Sequence, residues 1–92
     1  MGLTFEWDAR KAVANRSKHR VPFEEAATVF GDPLSLTVPD PGQRKGEARF
    51  ITIGISHRER ILVVVHTDRR GRIRLISARR ASRREKRTYE EV

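Results

Sequence analysis

The segment Ile61-Leu62-Val63-Val64-Val65-His66-Thr67-Asp68-Arg69-Arg70-Gly71-Arg72-Ile73-Arg74-Leu75-Ile76-Ser77 decides the fold. Two β-branched runs flank the short Asp68–Gly71 connection, the pattern of an antiparallel hairpin. The same reasoning extends upstream. Arg49 to Ile55 is another strand pattern, and Ser56 to Arg60 is short enough to be its hairpin loop into Ile61. Leu34 to Val38 alternates with period two, and the turn-rich segment Pro39 to Gly46 reads as a mobile loop. Successive short connections predict a four-stranded antiparallel meander.

Helices are expected on either side of it. Phe5-Glu6-Trp7 reads as a short first strand, and the Asp8 carboxylate suits the N-cap of a helix running to about His19. The apolar stripe of that helix is thin (Ala9, Ala12, Val13 and the stem of Arg16), which places it at the surface. Val21-Pro22 breaks it, since proline cannot continue the hydrogen-bond ladder. Pro22 opens a second helix whose Phe23, Ala26, Ala27 and Phe30 form one buried face, and Gly31-Asp32-Pro33 closes it. Ser82-Arg83-Arg84-Glu85 has capping-box spacing before a last helix to about Glu91, with only Ala81, Tyr89 and Val92 as apolar positions. The expected class is α+β: a short N-terminal strand, two N-terminal helices packed on a four-stranded antiparallel β-meander, and a basic C-terminal helix. The 92 residues make one domain.

Charge is distributed unevenly. Residues 1–40 carry a net −1 and residues 41–92 a net +9. Ten of the nineteen residues from Arg69 to Arg87 are Lys or Arg, opposed only by Glu85. A dense cationic surface fixed to a sheet suits a polyanion such as RNA or DNA. There are no cysteines, hence no disulfide framework and no thiolate metal site. The N-terminus has no basic or apolar signal-peptide region, and Glu6 stands where a myristoylation motif wants Ser or Thr. The longest apolar run, Ile61 to Val65, is five residues, against about 20 for a membrane span. A soluble, cytoplasmic protein is expected.

Most enzyme classes find no support. His19, His57 and His66 form no metal-ligand spacing, and no GxSxG, P-loop or GxGxxG is present. His57 reads as a solvated loop residue, His66 as a partly buried ring with one hydrogen bond, and His19 at least as a favourable charge at a helix C-terminus. Glu24-Glu25 and Glu90-Glu91 are neighbours on helices and point different ways, unlike a glycosidase pair. RNA cleavage remains open because it needs no cofactor and no metal. The 2′-hydroxyl attacks the adjacent phosphate; the protein positions the groups, stabilises the added negative charge and moves two protons. Arginine forks serve the second task, and Lys, Tyr or His the third. A crowded cationic surface is expected to lower the pKa of Lys and Tyr within it. The chain offers Lys18 and His19 from the first helix, Arg72, Arg74, Arg79 and Arg80 from the last strand and its exit, and Tyr89 from the last helix.

One set of residues runs in order through nearly the whole chain: Phe5-Glu6-Trp7-Asp8, Lys11, Asn15, Lys18-His19, Val21, Phe23 with Glu25-Ala26, and Phe30 with Asp32-Pro33. It continues in Gly46-Glu47 with Arg49, Ile53-Gly54, Arg74-Leu75-Ile76-Ser77-Ala78-Arg79-Arg80-Ala81, Glu85 and Tyr89. In these residues the sequence resembles the BrnT family of toxins. The resemblance implies the toxin half of a bacterial type II toxin–antitoxin module, with a RelE-like ribonuclease fold and translation inhibited by RNA cleavage. It implies no cofactor, RNA as substrate, and a BrnA-like ribbon-helix-helix antitoxin that completes a heterotetramer and carries it to operator DNA. The catalytic candidates it implies are Lys18, His19, Arg79, Arg80 and Tyr89; the RNA-binding candidates are Arg49, Arg69, Arg72, Arg74, Arg83, Arg84 and Arg87. Arg20 departs from the pattern, because the family usually has Gly after Lys-His. Gly there would close the helix in a left-handed conformation that costs Arg roughly 1 kcal/mol, so either Val21-Pro22 changes the turn or His19 is presented at a different angle. Two other readings compete: a nucleic-acid-binding co-repressor without catalysis, and an interaction protein whose charge speeds encounter with an acidic antitoxin.

Overall fold

The computed structural model describes residues 2–42 and 47–91. Gln43 to Gly46 of the turn-rich loop, with its expected mobility, lie outside the described residues, as do Met1 and Val92. Strand β1 (Phe5–Glu6) leads into helix α1 (Ala9–His19), then α2 (Phe23–Thr28) and a single 3-10 turn at Val29–Gly31. Strands β2 (Leu36–Pro39), β3 (Arg49–Ile55), β4 (Ile61–Arg69) and β5 (Arg72–Arg80) follow, and α3 (Arg83–Glu90) ends the chain. The strand expected from Leu34 begins two residues later, because the Leu34 amide is taken by the Asp32 side chain at 2.9 Å. Phe30 lies beyond α2, in the 3-10 turn.

The expectation of a four-stranded antiparallel sheet needs correction. The sheet has five strands in the order β1-β5-β4-β3-β2 and is mixed. β2, β3, β4 and β5 pair antiparallel with their chain neighbours, while β1 lies parallel to β5, Phe5 opposite Ile73 and Glu6 opposite Arg74. Between β4 and β5, Arg70 (φ 54°) and Gly71 (φ 78°) both take left-handed backbone, the turn geometry whose twist matches a two-residue hairpin.

Helices cover one face of the sheet. The core is Val21, Phe23, Ala26 and Val29 from the helical side, packed on Leu62 and Val64 of β4 and Leu75 and Ala78 of β5. His66 belongs to the same face. It is buried, shares a 2.7 Å hydrogen bond with Thr52 and meets the Phe30 ring edge-on at 4.8 Å. Burial pushes its pKa down against the opposing pull of Asp68, so the ring is a neutral structural element.

A register shift opposite Val65/His66 leaves Ile76 as an extra residue in β5: Val65 pairs with Ser77, and His66 with Leu75. Strict alternation from Leu75 would send Arg79 to the helix-covered face. Because of the bulge, Ala78 pairs with Val64 and Arg80 with Leu62 on the covered face, and Arg79 pairs with Val63 on the open one.

α1 lies at the surface, with Val13 70% exposed and Asn15 its single buried residue. Asn15 Nδ2 donates to the carbonyls of Val21 (3.0 Å) and Ala78 (2.8 Å), and the Ala78 N–H donates back to Oδ1 (3.0 Å). One amide thus ties α1 both to its own exit and to β5. Asn15→Ala leaves buried backbone groups unpaired and is expected to cost about 3 kcal/mol in urea unfolding, lowering Tm by at least about 12 °C. A loss below about 1 kcal/mol would contradict this role for the amide.

Candidate functional site

The last turn of β5 sends two arginines to opposite faces. On the open face, Arg79 grips Glu85 through two parallel bonds, Nη1 to Oε1 and Nη2 to Oε2, both 2.8 Å. Glu85 is also the N3 residue of the capping box that starts α3, accepting from the Ser82 amide at 2.8 Å while Ser82 Oγ accepts from the Glu85 amide. Arg79, foremost, outweighs burial and holds the Glu85 carboxyl down at about 2. The same bond raises the Arg79 pKa further.

α3 has no buried residue and is held at its far end by Tyr89, whose hydroxyl donates to Asp32 Oδ2 at 2.5 Å. Asp32 also accepts from the amides of Leu34 and Ile55, both at 2.9 Å. Gly54 makes this approach possible: a Cβ there would lie 3.1 Å from Asp32 Oδ2 and 2.9 Å from Val29 Cγ1. Burial pushes the Asp32 carboxyl up, but the Ile55 amide, Tyr89 and the Leu34 amide together hold it below the ordinary aspartate value. Asp32, more than burial, pushes Tyr89 up to about 12. This corrects the expectation of a tyrosine lowered by its cationic surroundings; one bonded carboxylate outweighs the diffuse positive field.

On the helix-covered face, Asn15 sets α1 against Ala78, so Lys18 and His19, one turn further on, lie toward the end of β5 that carries Arg80. Lys18 and Arg80 are exposed and His19 half-buried. Arg20 resolves the question its position raised: the left-handed turn is kept, by an arginine, at φ 59° and ψ 35°. Its amide donates to Arg16 O at 2.8 Å, and its carbonyl accepts from Arg60 Nη2 at 3.2 Å. Arg60 is in turn fixed by Glu25, which is 2% exposed. Arg60 bonds both Glu25 oxygens, Nε at 2.8 Å, and Ser56 Oγ donates to Oε2 at 2.7 Å. The Arg60 bond, foremost, holds the Glu25 carboxyl below its ordinary value despite burial.

Arg49, Arg69, Arg72 and Arg74 lie at the opposite end of the sheet. Arg72 and Arg79 pair with Arg69 and Val63 of β4, six residues apart, ~20 Å at 3.3 Å per residue. Each has a carboxylate nearby: Asp40 at 3.8 Å from Arg49, Glu47 at 3.3 Å from Arg69, and Glu6 at 3.6 Å from Arg72 and 3.1 Å from Arg74. Arg83, Arg84 and Arg87 are exposed on α3 and have no ion pair among the described residues. Among the described residues no group of three or more His, Asp or Glu could hold a metal ion, and no helix is long and apolar enough to cross a membrane.

Residues 7–85 match the family model described as the ribonuclease toxin, BrnT, of type II toxin–antitoxin systems. The chain belongs to the BrnT family. No curated protein matches it significantly. Among solved structures, the 1.1 Å crystal structure of the Brucella abortus ribonuclease toxin, BrnT, is similar, with a TM-score of 0.64 at 22% identity over 89% of this chain and 100% of that one. At that identity the likeness is one of fold.

Membership of the BrnT family implies an RNA substrate and an antitoxin partner, and the cationic surface of this chain divides accordingly. Of the five catalytic candidates, Lys18, His19 and Arg80 lie toward the covered face at one end of β5, Arg79 is on the opposite face against Glu85, and Tyr89 stands at the far end of α3 against Asp32. The arginines at the other end are largely paired. Sequence reasoning missed the partners: Asp32 for Tyr89, and Glu85 as more than a cap. Glu85 carried a signal, since its capping-box position fixes it within reach of the strand exit; Asp32, 57 positions from Tyr89, carried none.

Tyr89 is the chain's one tyrosine, so its titration is directly readable. Tyrosinate absorbance is expected to rise with a midpoint near 12. A raised folded pKa means that the bond to Asp32 contributes stability fully below about pH 10 and loses it as pH rises toward 12. A midpoint near 10 would show that the Tyr89–Asp32 bond is absent in solution. At the acid end, Glu85→Gln is expected to cost about 1 kcal/mol at neutral pH, discounted for partial exposure, with the difference from the parent closing as pH falls from 4.5 toward 2.

Proposed function

We propose that this BrnT-family chain is a metal-independent endoribonuclease of RelE-like design, which inhibits translation in the cytoplasm until a BrnA-like ribbon-helix-helix antitoxin neutralises it. In this reading the pair assembles as a heterotetramer and reaches operator DNA through the antitoxin. What supports it is the cationic end of β5, where Arg79 and Arg80 leave the strand on opposite faces and Asn15 sets the last turn of α1, with Lys18 and His19, toward Arg80.

The chemistry follows from what each group can do. Attack of the 2′-oxygen on phosphorus expels the 5′-oxygen and leaves a 2′,3′-cyclic phosphate and a 5′-hydroxyl. Arg80, which has no ion pair among the described residues, meets phosphate directly. Arg79 meets it by exchanging the Glu85 carboxylate for two phosphoryl oxygens of the same fork geometry. Tyr89, protonated up to about pH 12, suits donation of a proton to the leaving oxygen rather than acceptance of one. His19 and Lys18 offer nitrogens on the other flank for the 2′-hydroxyl proton.

One observation favours the non-catalytic co-repressor reading: Arg79 and Tyr89 are both bonded to carboxylates at rest. Two variants separate the readings. On tightly controlled induction in a bacterium, the parent is expected to arrest growth and to create discrete new RNA 5′ ends, both relieved by the antitoxin. Arg79→Ala is expected to reduce cleavage about 100-fold, the scale of losing one charge-stabilising donor. Glu85→Gln breaks the same ion pair but keeps the guanidinium, and is expected to retain cleavage. Equal losses in both would reduce Arg79 to a fastener for α3; intact RNA with a folded parent would favour the co-repressor.

A further inference from the structure

A second cationic site lies outside every candidate above. Where the last turn of α1, its left-handed cap and the β3–β4 hairpin meet, they enclose an open cleft of about 490 Å³ lined by Arg16, Ser17, Arg20, Pro22 and Arg58. Its lining has three guanidinium groups and no carboxylate. Arg16 and Arg20 form no ion pair among the described residues. Arg58, 61% exposed, has one carboxylate oxygen at 3.9 Å, and that oxygen is already bonded to Arg60. Three like charges facing one cleft repel one another unless an anion sits between them.

The cleft is also built rather than incidental. Arg20 is held at φ 59°, a conformation that costs a non-glycine residue about 1 kcal/mol, and strain of this kind collects at functional sites. Its backbone is fixed at both ends, the amide by Arg16 O and the carbonyl by Arg60, itself clamped on buried Glu25. The partial negative charge of the α1 C-terminus would oppose an anion. These two bonded carbonyls, together with Arg16, Lys18 and His19 in the last turn, offset it.

We propose that Arg16, Arg20 and Arg58, with the Ser17 hydroxyl, form a phosphate-binding subsite that holds the RNA backbone one or more nucleotides from the bond cut beside Lys18 and His19. This rests on the ribonuclease reading for its substrate. Pro22 is the one apolar residue of the lining, so the cleft lacks the apolar anchor on which a protein segment would dock, whereas arginine forks and a hydroxyl are the contacts a phosphodiester takes. The last turn of α1 carries both the cleft residues and the proposed proton-handling pair, so one strand reaches both.

The test uses a short single-stranded RNA of 2′-O-methyl nucleotides, which binds but cannot be cleaved, so binding is read apart from catalysis. The triple variant Arg16→Ala, Arg20→Gly, Arg58→Ala is expected to lower the slope of log Kd against log salt by about 2 and to weaken binding about 100-fold at about 0.1 M salt. Arg20→Gly alone is expected to weaken binding about fivefold with Tm unchanged or raised, since glycine takes the left-handed turn without strain. An unchanged slope in the folded triple variant would overturn the proposal. So would unchanged RNA binding with weakened antitoxin binding, which would make the cleft a protein-docking site. If the parent binds the RNA through these arginines but cuts no natural RNA, the subsite stands and the ribonuclease reading falls.

Discussion

Glu25 carries a charge into the one place where an unpaired charge is least tolerated, between α2 and the sheet, and much of the molecule is arranged around satisfying it. Arg60 brackets both its oxygens and Ser56 donates a third bond. Removing one partner of such a pair strands the other, at a cost of about 3–5 kcal/mol, although the intact pair adds little net stability over a well-packed apolar one. Its value here is geometric. Arg60 and Ser56 bound the β3–β4 hairpin, so Glu25 fixes that hairpin against α2. Because Arg60 also holds the Arg20 carbonyl, the same pair fixes how α1 ends. The orientation of Lys18 and His19 and the shape of the Arg16–Arg20–Arg58 cleft therefore depend on a residue that bonds neither Lys18 nor His19 and meets the cleft only at Arg58, 3.9 Å away.

A second constraint acts on β5. The bulge at Ile76 reverses the facing of everything after it, and the Asn15 side chain then locks Ala78 to α1. Arg80 goes to the helix side and Arg79 to the open side, where Glu85 receives it and begins α3. The C-terminal helix buries none of its own residues, and its attachment rests on the Arg79–Glu85 and Tyr89–Asp32 bonds. Two of the groups proposed to handle substrate are thus also the groups that seat the helix, which couples its position to the charge state of the site.

Much of this was legible in the sequence wherever the cause is local. The β-branched runs announced β3, β4 and β5, Asp8 announced the start of α1, and Ser82 with Glu85 announced α3. The first strand was expected as an element, but not as the fifth member of the sheet. Phe5-Glu6 is too short to reveal its partner, and its parallel pairing with β5 spans most of the chain. The bulge left no mark either, since Leu75-Ile76-Ser77 reads as uninterrupted strand, so the opposite facing of Arg79 and Arg80 was hidden. The candidate residues were found as types, but not their state: Glu6 and Glu47 lie far along the chain from the arginines they pair, and Asp32 lies far from the Tyr89 hydroxyl it receives. Arg20 was the informative exception, because a residue unsuited to a left-handed turn marked a place where the turn is enforced from outside.

The central functional claim is that this arginine-rich end of β5 cleaves RNA through its own 2′-hydroxyl, with no metal ion. Purified protein incubated with RNA in excess chelator, with the ends of the products then analysed chemically, tests it most directly. The account predicts discrete cuts that persist in chelator, leave 5′-hydroxyl ends and vanish when the single ribose at the cut is replaced by deoxyribose. Cleavage that requires added magnesium, leaves 5′-phosphate ends or tolerates the deoxyribose would contradict it.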